Sequence, residues 1–129
     1  MATWETLRSY IKSNYIVSKD ELTILSLQFD VGGNRSQVVV VAKEMLGNYE
    51  WAQIGTPVGT EADLNPRDAL VRNWGFTVGA LAMMDDGTLW FRHSLPLKDL
   101  DIDEFEVPFH LVVNFGDKLE QEITGGDRF

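Results

Sequence analysis

The chain has 129 residues, 44% hydrophobic and 24% charged, with twenty acidic against eleven basic side chains and no cysteine. That length fits one domain, 1–129, able to bury about two-thirds of its unfolded surface without a metal or disulfide. A net charge of −9 sets it against nucleic-acid backbones and anionic membranes, the scattered bases form no stripe to override that average, and the absent cysteines exclude thiol chemistry and Cys-bound zinc.

Chain order begins with a helix over 4–13, which puts Trp4, Leu7, Tyr10 and Ile11 on one face with Thr3 placed to cap it. "ELTILSLQFDV" then alternates as a strand: Leu25, Leu27, Phe29 and Val31 point one way, Ser26, Gln28 and Asp30 the other. The turn "GGN" leads to a β-branched strand over 38–41, and Gly47-Asn48 turns the chain into a third strand over 49–54. Residues 55–64 read as a looser segment. "NPRDALVRNWG" starts a second helix, with Asn65 as N-cap and Pro66 at the first helical position. A hairpin over 77–95 follows.

The last element is a single apolar stripe: Ile102, Phe105, Phe109, Val112, Gly116, Leu119 and Ile123 are spaced by threes and fours. Asp101 and Glu104 stand at capping-box spacing. The phase survives across Pro108, so one long kinked helix is expected, with Gly116 marking a close approach to another backbone. The ending "GGDRF" reads as frayed. The expected order is α-β-β-β-α-β-β-α: an α+β fold, an antiparallel sheet with helices packed on it.

The stretch "VGALAMMDDGTLWFRHSLPL" holds the residues that most invite a chemical reading. With Asp86-Gly87 as a two-residue turn, Met84 faces Leu89, Ala82 faces Phe91 and Ala80 faces His93, leaving Leu81 and Met83 on the other face with Trp90 and Arg92. The aspartates then belong to the turn, where carboxylates in water need no shifted acidity. His93 falls on the packed face, and Ser94, its neighbour along the strand, points to the opposite one, so the two form no nucleophile–base pair. "DLDIDEFEVPFH" fails as a calcium loop: its sixth residue is Glu104 rather than glycine and its twelfth is His110 rather than glutamate. "GGNRS" lacks the lysine of a P-loop, and two unpaired histidines hold no zinc. No catalytic residue, cofactor or metal is expected. Four tryptophans, at 4, 51, 74 and 90, leave open an aromatic pocket for a small molecule.

The longest uncharged run, 73–84, is far short of the roughly 20 residues a bilayer requires. "MATWETLRSYIK" lacks the apolar run of a secretory signal, so a cytoplasmic protein is expected. Strands 38–41 and 76–84 are apolar on both faces, while three helices are few to cover them. That calls for a second covering layer, a twin subunit or a bound polypeptide.

The segment "VGALAMMDDGTLWFRHSLPLKDLDIDEFEVPFHLVVNFGDKLEQEI" resembles the bacterial YbjN-like family of sensory transduction regulators. That family is placed in the type III secretion chaperone-like superfamily. The resemblance covers the C-terminal half; the first sixty residues agree in element order alone. It implies a chaperone-like α+β fold, homodimerisation, and binding rather than catalysis, and it offers no catalytic residue. The expected protein is a non-enzymatic homodimeric interaction domain, chaperone-like or a regulatory adaptor, that binds a polypeptide partner. The alternative is a small-molecule-sensing domain. Trp74, Leu81, Met83 and Trp90 are the expected dimer interface, and Val39, Val41 and Trp51 the expected partner surface.

Overall fold

In the computed structural model, which describes residues 3–129, the chain runs α1 (Trp4–Asn14), β1 (Val17–Asp20), β2 (Ile24–Gly32), β3 (Arg35–Leu46), β4 (Tyr49–Thr60), α2 (Pro66–Asn73), β5 (Ala80–Met83), β6 (Thr88–Pro96) and α3 (Ile102–Thr124). The six strands form one antiparallel sheet in the order β1-β2-β3-β4-β6-β5. The class is α+β, as expected, with one strand more than the sequence pattern implies. That strand, β1, is four residues with an exposed, charged pattern and a bulge, so it carries no periodic apolar signal.

Capping follows the sequence closely. Thr3 caps α1, Asn65 caps α2 with Pro66 behind it, and Asp101 and Glu104 form a reciprocal box at the start of α3. α3 continues unbroken through Pro108 and ends at Gly125, which takes the left-handed conformation at φ 73°. Its apolar stripe buries Phe105, Phe109, Val112, Val113 and Leu119. Together with Trp4, Leu7 and Ile11 of α1, these cover one face of the sheet. No helix among the described residues is long and apolar enough to cross a membrane.

Gly116 makes the close approach its place on the stripe implies, although to a side chain rather than to backbone. A Cβ there would lie 2.3 Å from Cγ2 of Thr56. Thr56 in turn belongs to a buried polar knot: its hydroxyl donates to the Val38 carbonyl at 2.5 Å and accepts from Nε2 of Gln37 at 2.7 Å.

Residues 55–60, read from sequence as loose, are the second half of β4. Gly55, Pro57 and Gly59 conceal a strand there. The pairing with β3 ends at Val40↔Gly55, so Pro57 pairs across to β6 alone. On the β3 side the Gln37 amide donates to the Pro57 carbonyl at 3.0 Å, standing in for the ladder. The ending does not fray in this structure either. Gly126 accepts from Arg35, Asp127 from the Ser36 amide, and Arg128 donates to Asp63.

Candidate functional site

Strand alternation sorts the sheet into two faces. On β3, Gln37, Val39 and Val41 are fully buried beneath the helices, while Val38, Val40 and Ala42 face outward. On β4, Ala52, Ile54 and Thr56 point inward and Trp51 and Gln53 outward. On β6, Leu89 and Phe91 are core, whereas Trp90 and Arg92 belong to the outer face. α1 and α3 lie on the inner face, and among the described residues no helix covers the outer one.

This sorting corrects the expected partner surface. Val39 and Val41 are 0% exposed and cannot meet a partner; of the expected set only Trp51 lies on the open face. Their neighbours Val38 and Val40 lie on the open face instead.

The hairpin corrects the expected dimer interface for a related reason. Its loop has three residues, not two: Met84 donates to the Thr88 carbonyl, Gly87 donates to the Met84 carbonyl, and Gly87 holds φ 86°. That one-residue change shifts the register so that Leu81 pairs with Phe91, Ala82 with Trp90 and Met83 with Leu89. Leu81 is therefore buried, and Met83 shares the helix-covered side. Trp90 lies on the open face beside Ala80 and Ala82, so the four residues make no single surface. Trp74 is separate again, at the C-cap of α2 and 94% exposed.

The open face has a centre. The Trp90 ring lies across Gly55, where a Cβ would sit 3.4 Å from its Cε3, and its indole N–H is buried without a partner. Between Trp90, Val40, Ala42 and Met84 runs a depression of about 290 Å³, with Arg92 and Gln53 at its rim. Glu44 accepts from Gln53 at 2.5 Å and pairs with Arg92 at 3.7 Å. The surface is thus apolar and close to neutral within an acidic chain. The four tryptophans do not gather into one pocket: Trp4 is core, donating to the Leu22 carbonyl, and Trp90 alone of them lines this depression.

Both edges of the sheet are guarded. The Asn73 side chain accepts from the Leu81 amide at 2.7 Å and donates to the Leu81 carbonyl at 3.2 Å, occupying the outer edge of β5 as a strand would. The opposite edge, β1, is bulged and carries Lys19 and Asp20.

Several titratable groups elsewhere are held within turns and packing contacts. Asp86 accepts from the Thr88 amide at 2.9 Å, which holds its carboxyl below the usual range, the opposite of what a general acid requires. His93 lies on the inner face opposite Ile54 and accepts through Nδ1 from the Gly79 amide, while burial lowers its pKa. Ser94 pairs with Gln53 on the other face, so the two adjacent residues stay apart. Tyr10 and Tyr15 both donate to Glu106, tying α1 to α3. The hydrogen bond to Glu106, then burial, pushes the Tyr10 hydroxyl up to about 12.

Asp117, Glu120 and Asp127 bring carboxylate oxygens within 4.8 Å of one another near the end of α3. Arg35 stands among them, 2.9 Å from Asp117, 3.8 Å from Glu120 and 3.9 Å from Asp127. Its guanidinium fills the role a cation would take. Burial raises the Glu120 pKa, against the two backbone amides, of Arg128 and Phe129, that donate to it.

Neither a family model nor a curated protein matches the chain.

Proposed function

We propose that this protein is a non-enzymatic, homodimeric interaction domain with the type III secretion chaperone-like fold. It holds a polypeptide partner on the open face of its sheet. One observation carries the reading: the sheet has helices on a single face, and the other presents an apolar, nearly neutral surface centred on Trp90. Apolar surface of that kind is stabilised by a second layer. With Asn73 closing the β5 edge and the β1 edge bulged and charged, the partner lies across the face rather than adding a strand. The α-β-α order with a long final helix and the resemblance of the C-terminal half to YbjN-like proteins support the same fold.

Homodimerisation draws support from α2. This eight-residue helix buries none of its side chains, and Leu70, Val71 and Trp74 are 70%, 57% and 94% exposed. So short a helix gains little stability alone, and a second subunit would supply the packing it lacks.

Native mass spectrometry of protein purified gently from the cells that make it tests the whole reading. The expected species is a dimer carrying a stoichiometric polypeptide, which Val40→Glu removes while the dimer persists. A bare monomer overturns the reading. A small molecule bound in the Trp90 depression, with saturable change in tryptophan fluorescence, replaces it with a sensor.

A further inference from the structure

Along α3 a second stripe points away from the sheet. Val107 is 59% exposed, Leu111 half-buried and Phe115 40% exposed, and they recur at four-residue spacing. Continuing the stripe, Glu104 lies one turn before Val107 and Lys118 one turn after Phe115, both exposed. At about 100° per residue all five fall within one sector of roughly 80°, centred about 120° around the helix from the stripe that covers the sheet.

The order of these residues is mirrored about Leu111. Val107 and Phe115 stand four residues to either side, apolar matching apolar. Glu104 and Lys118 stand seven to either side, acid matching base. A surface so arranged is complementary to itself when two copies run antiparallel about a two-fold axis, which is the condition an isologous interface must meet.

We infer that a second copy of this chain docks on that stripe, α3 against α3, antiparallel, with the axis at Leu111. This rests on the homodimer reading above and names its interface. Phe115 of each copy meets Val107 of the other, and Lys118 meets Glu104 twice per dimer. These pairs offset locally the repulsion between two chains of net charge −9.

The stretch from Glu104 to Lys118 is about 21 Å long. That alone falls short of the roughly 800 Å² per partner of a standard interface. α2 supplies the remainder. Arg72 pairs with Glu122 at the far end of α3, so the antiparallel arrangement brings Arg72 and Trp74 of one copy toward residue 100 of the other. There an apolar groove between Pro96, Leu100 and Val107 is rimmed by Asp101, Asp103 and Glu104. The exposed tryptophan finds an apolar seat and the arginine an acidic rim.

A cysteine-free chain makes the test direct. Two-fold symmetry at Leu111 brings residue 111 of both copies together, within the separation a disulfide allows. Leu111→Cys is oxidised mildly beside Asp85→Cys, a control at the hairpin tip, and the association of the unmodified chain is measured by sedimentation equilibrium. The expected result is a dimer that Leu111→Cys locks covalently, at least tenfold faster than the control. Mixed Val107→Cys and Phe115→Cys chains should cross-link to each other faster than either does to itself, which checks the axis even if Leu111→Cys folds poorly. A dimer that neither arrangement cross-links above control overturns the α3 interface and leaves the homodimer standing. A monomer at every concentration up to about 100 µM removes both.

Discussion

Gly116 is glycine because Thr56 is threonine. The Thr56 methyl occupies the space a side chain at 116 would take, and its hydroxyl is committed to Val38 and Gln37. Gly116→Ala should cost about 1–3 kcal/mol. Thr56→Ser, which removes the methyl and keeps the hydroxyl, should return part of that loss when combined with it. Denaturant unfolding of the single and double variants measures the coupling; strict additivity would mean that the methyl is not the obstacle. At His93 the neutral imidazole is required, because Nδ1 accepts from Gly79 and burial opposes the charge. Its folded pKa lies below the unfolded 6.5. The stability it confers is therefore present above that pH and lost as pH falls through the folded value. His93→Asn keeps an acceptor without titrating, so its melting temperature should fall less between pH 7 and pH 5 than that of the unmodified chain. An identical fall in both would exclude His93 as the cause.

At the scale of elements, the hairpin shows what a single residue of loop length controls. A three-residue loop buries Leu81, leaves Met83 40% exposed on the same side of the strand, and sets Ala80 and Ala82 beside Trp90. The sequence pattern was compatible with either register, because small and large residues alternate in both. The β5 edge created by this hairpin is closed by Asn73. Asn73→Ala should leave the Leu81 amide and carbonyl unpaired by protein, costing about 1 kcal/mol for each bond. In hydrogen exchange the Leu81 amide should lose most of its protection while Phe91, on the next strand, keeps its own. Unchanged exchange at Leu81 would show that the edge is protected by something other than this side chain.

At the scale of the molecule, Glu120 joins the end of α3, the start of β3 and the final residues. It accepts from the amides of Arg128 and Phe129 and stands 3.8 Å from Arg35. Burial raises its folded pKa above the ordinary 4.5, so the native state binds more protons than the unfolded chain above that value. Its contribution to stability declines as pH rises through the window between the two. Asp63 works the other way: its bond from the Thr60 amide holds its carboxyl low, and the stability it gives is lost as pH falls. Glu120→Gln should flatten the decline in melting temperature that sets in above pH 4.5 and leave the acid limb in place. A slope unchanged by the substitution would mean that Glu120 titrates alike in both states.

The sequence by itself determined the elements that local chemistry dictates. Thr3, Asn65 and Asp101 announce helix starts because their side chains can accept from the first free amides. The three-and-four spacing through Pro108 specifies one helix and the face it buries. What only the tertiary structure decided was which side of each strand meets the helices. Alternation fixes that Val39 and Val40 face opposite ways, but its sign depends on where α1 and α3 settle, and both residues are valine. Likewise β4 beyond Gly55 is a strand because β6 and the Gln37 amide pair with it, partners distant in sequence. Local propensity, weak across Gly55, Pro57 and Gly59, is overridden there by pairing and burial, and these act between residues that only the folded chain brings together.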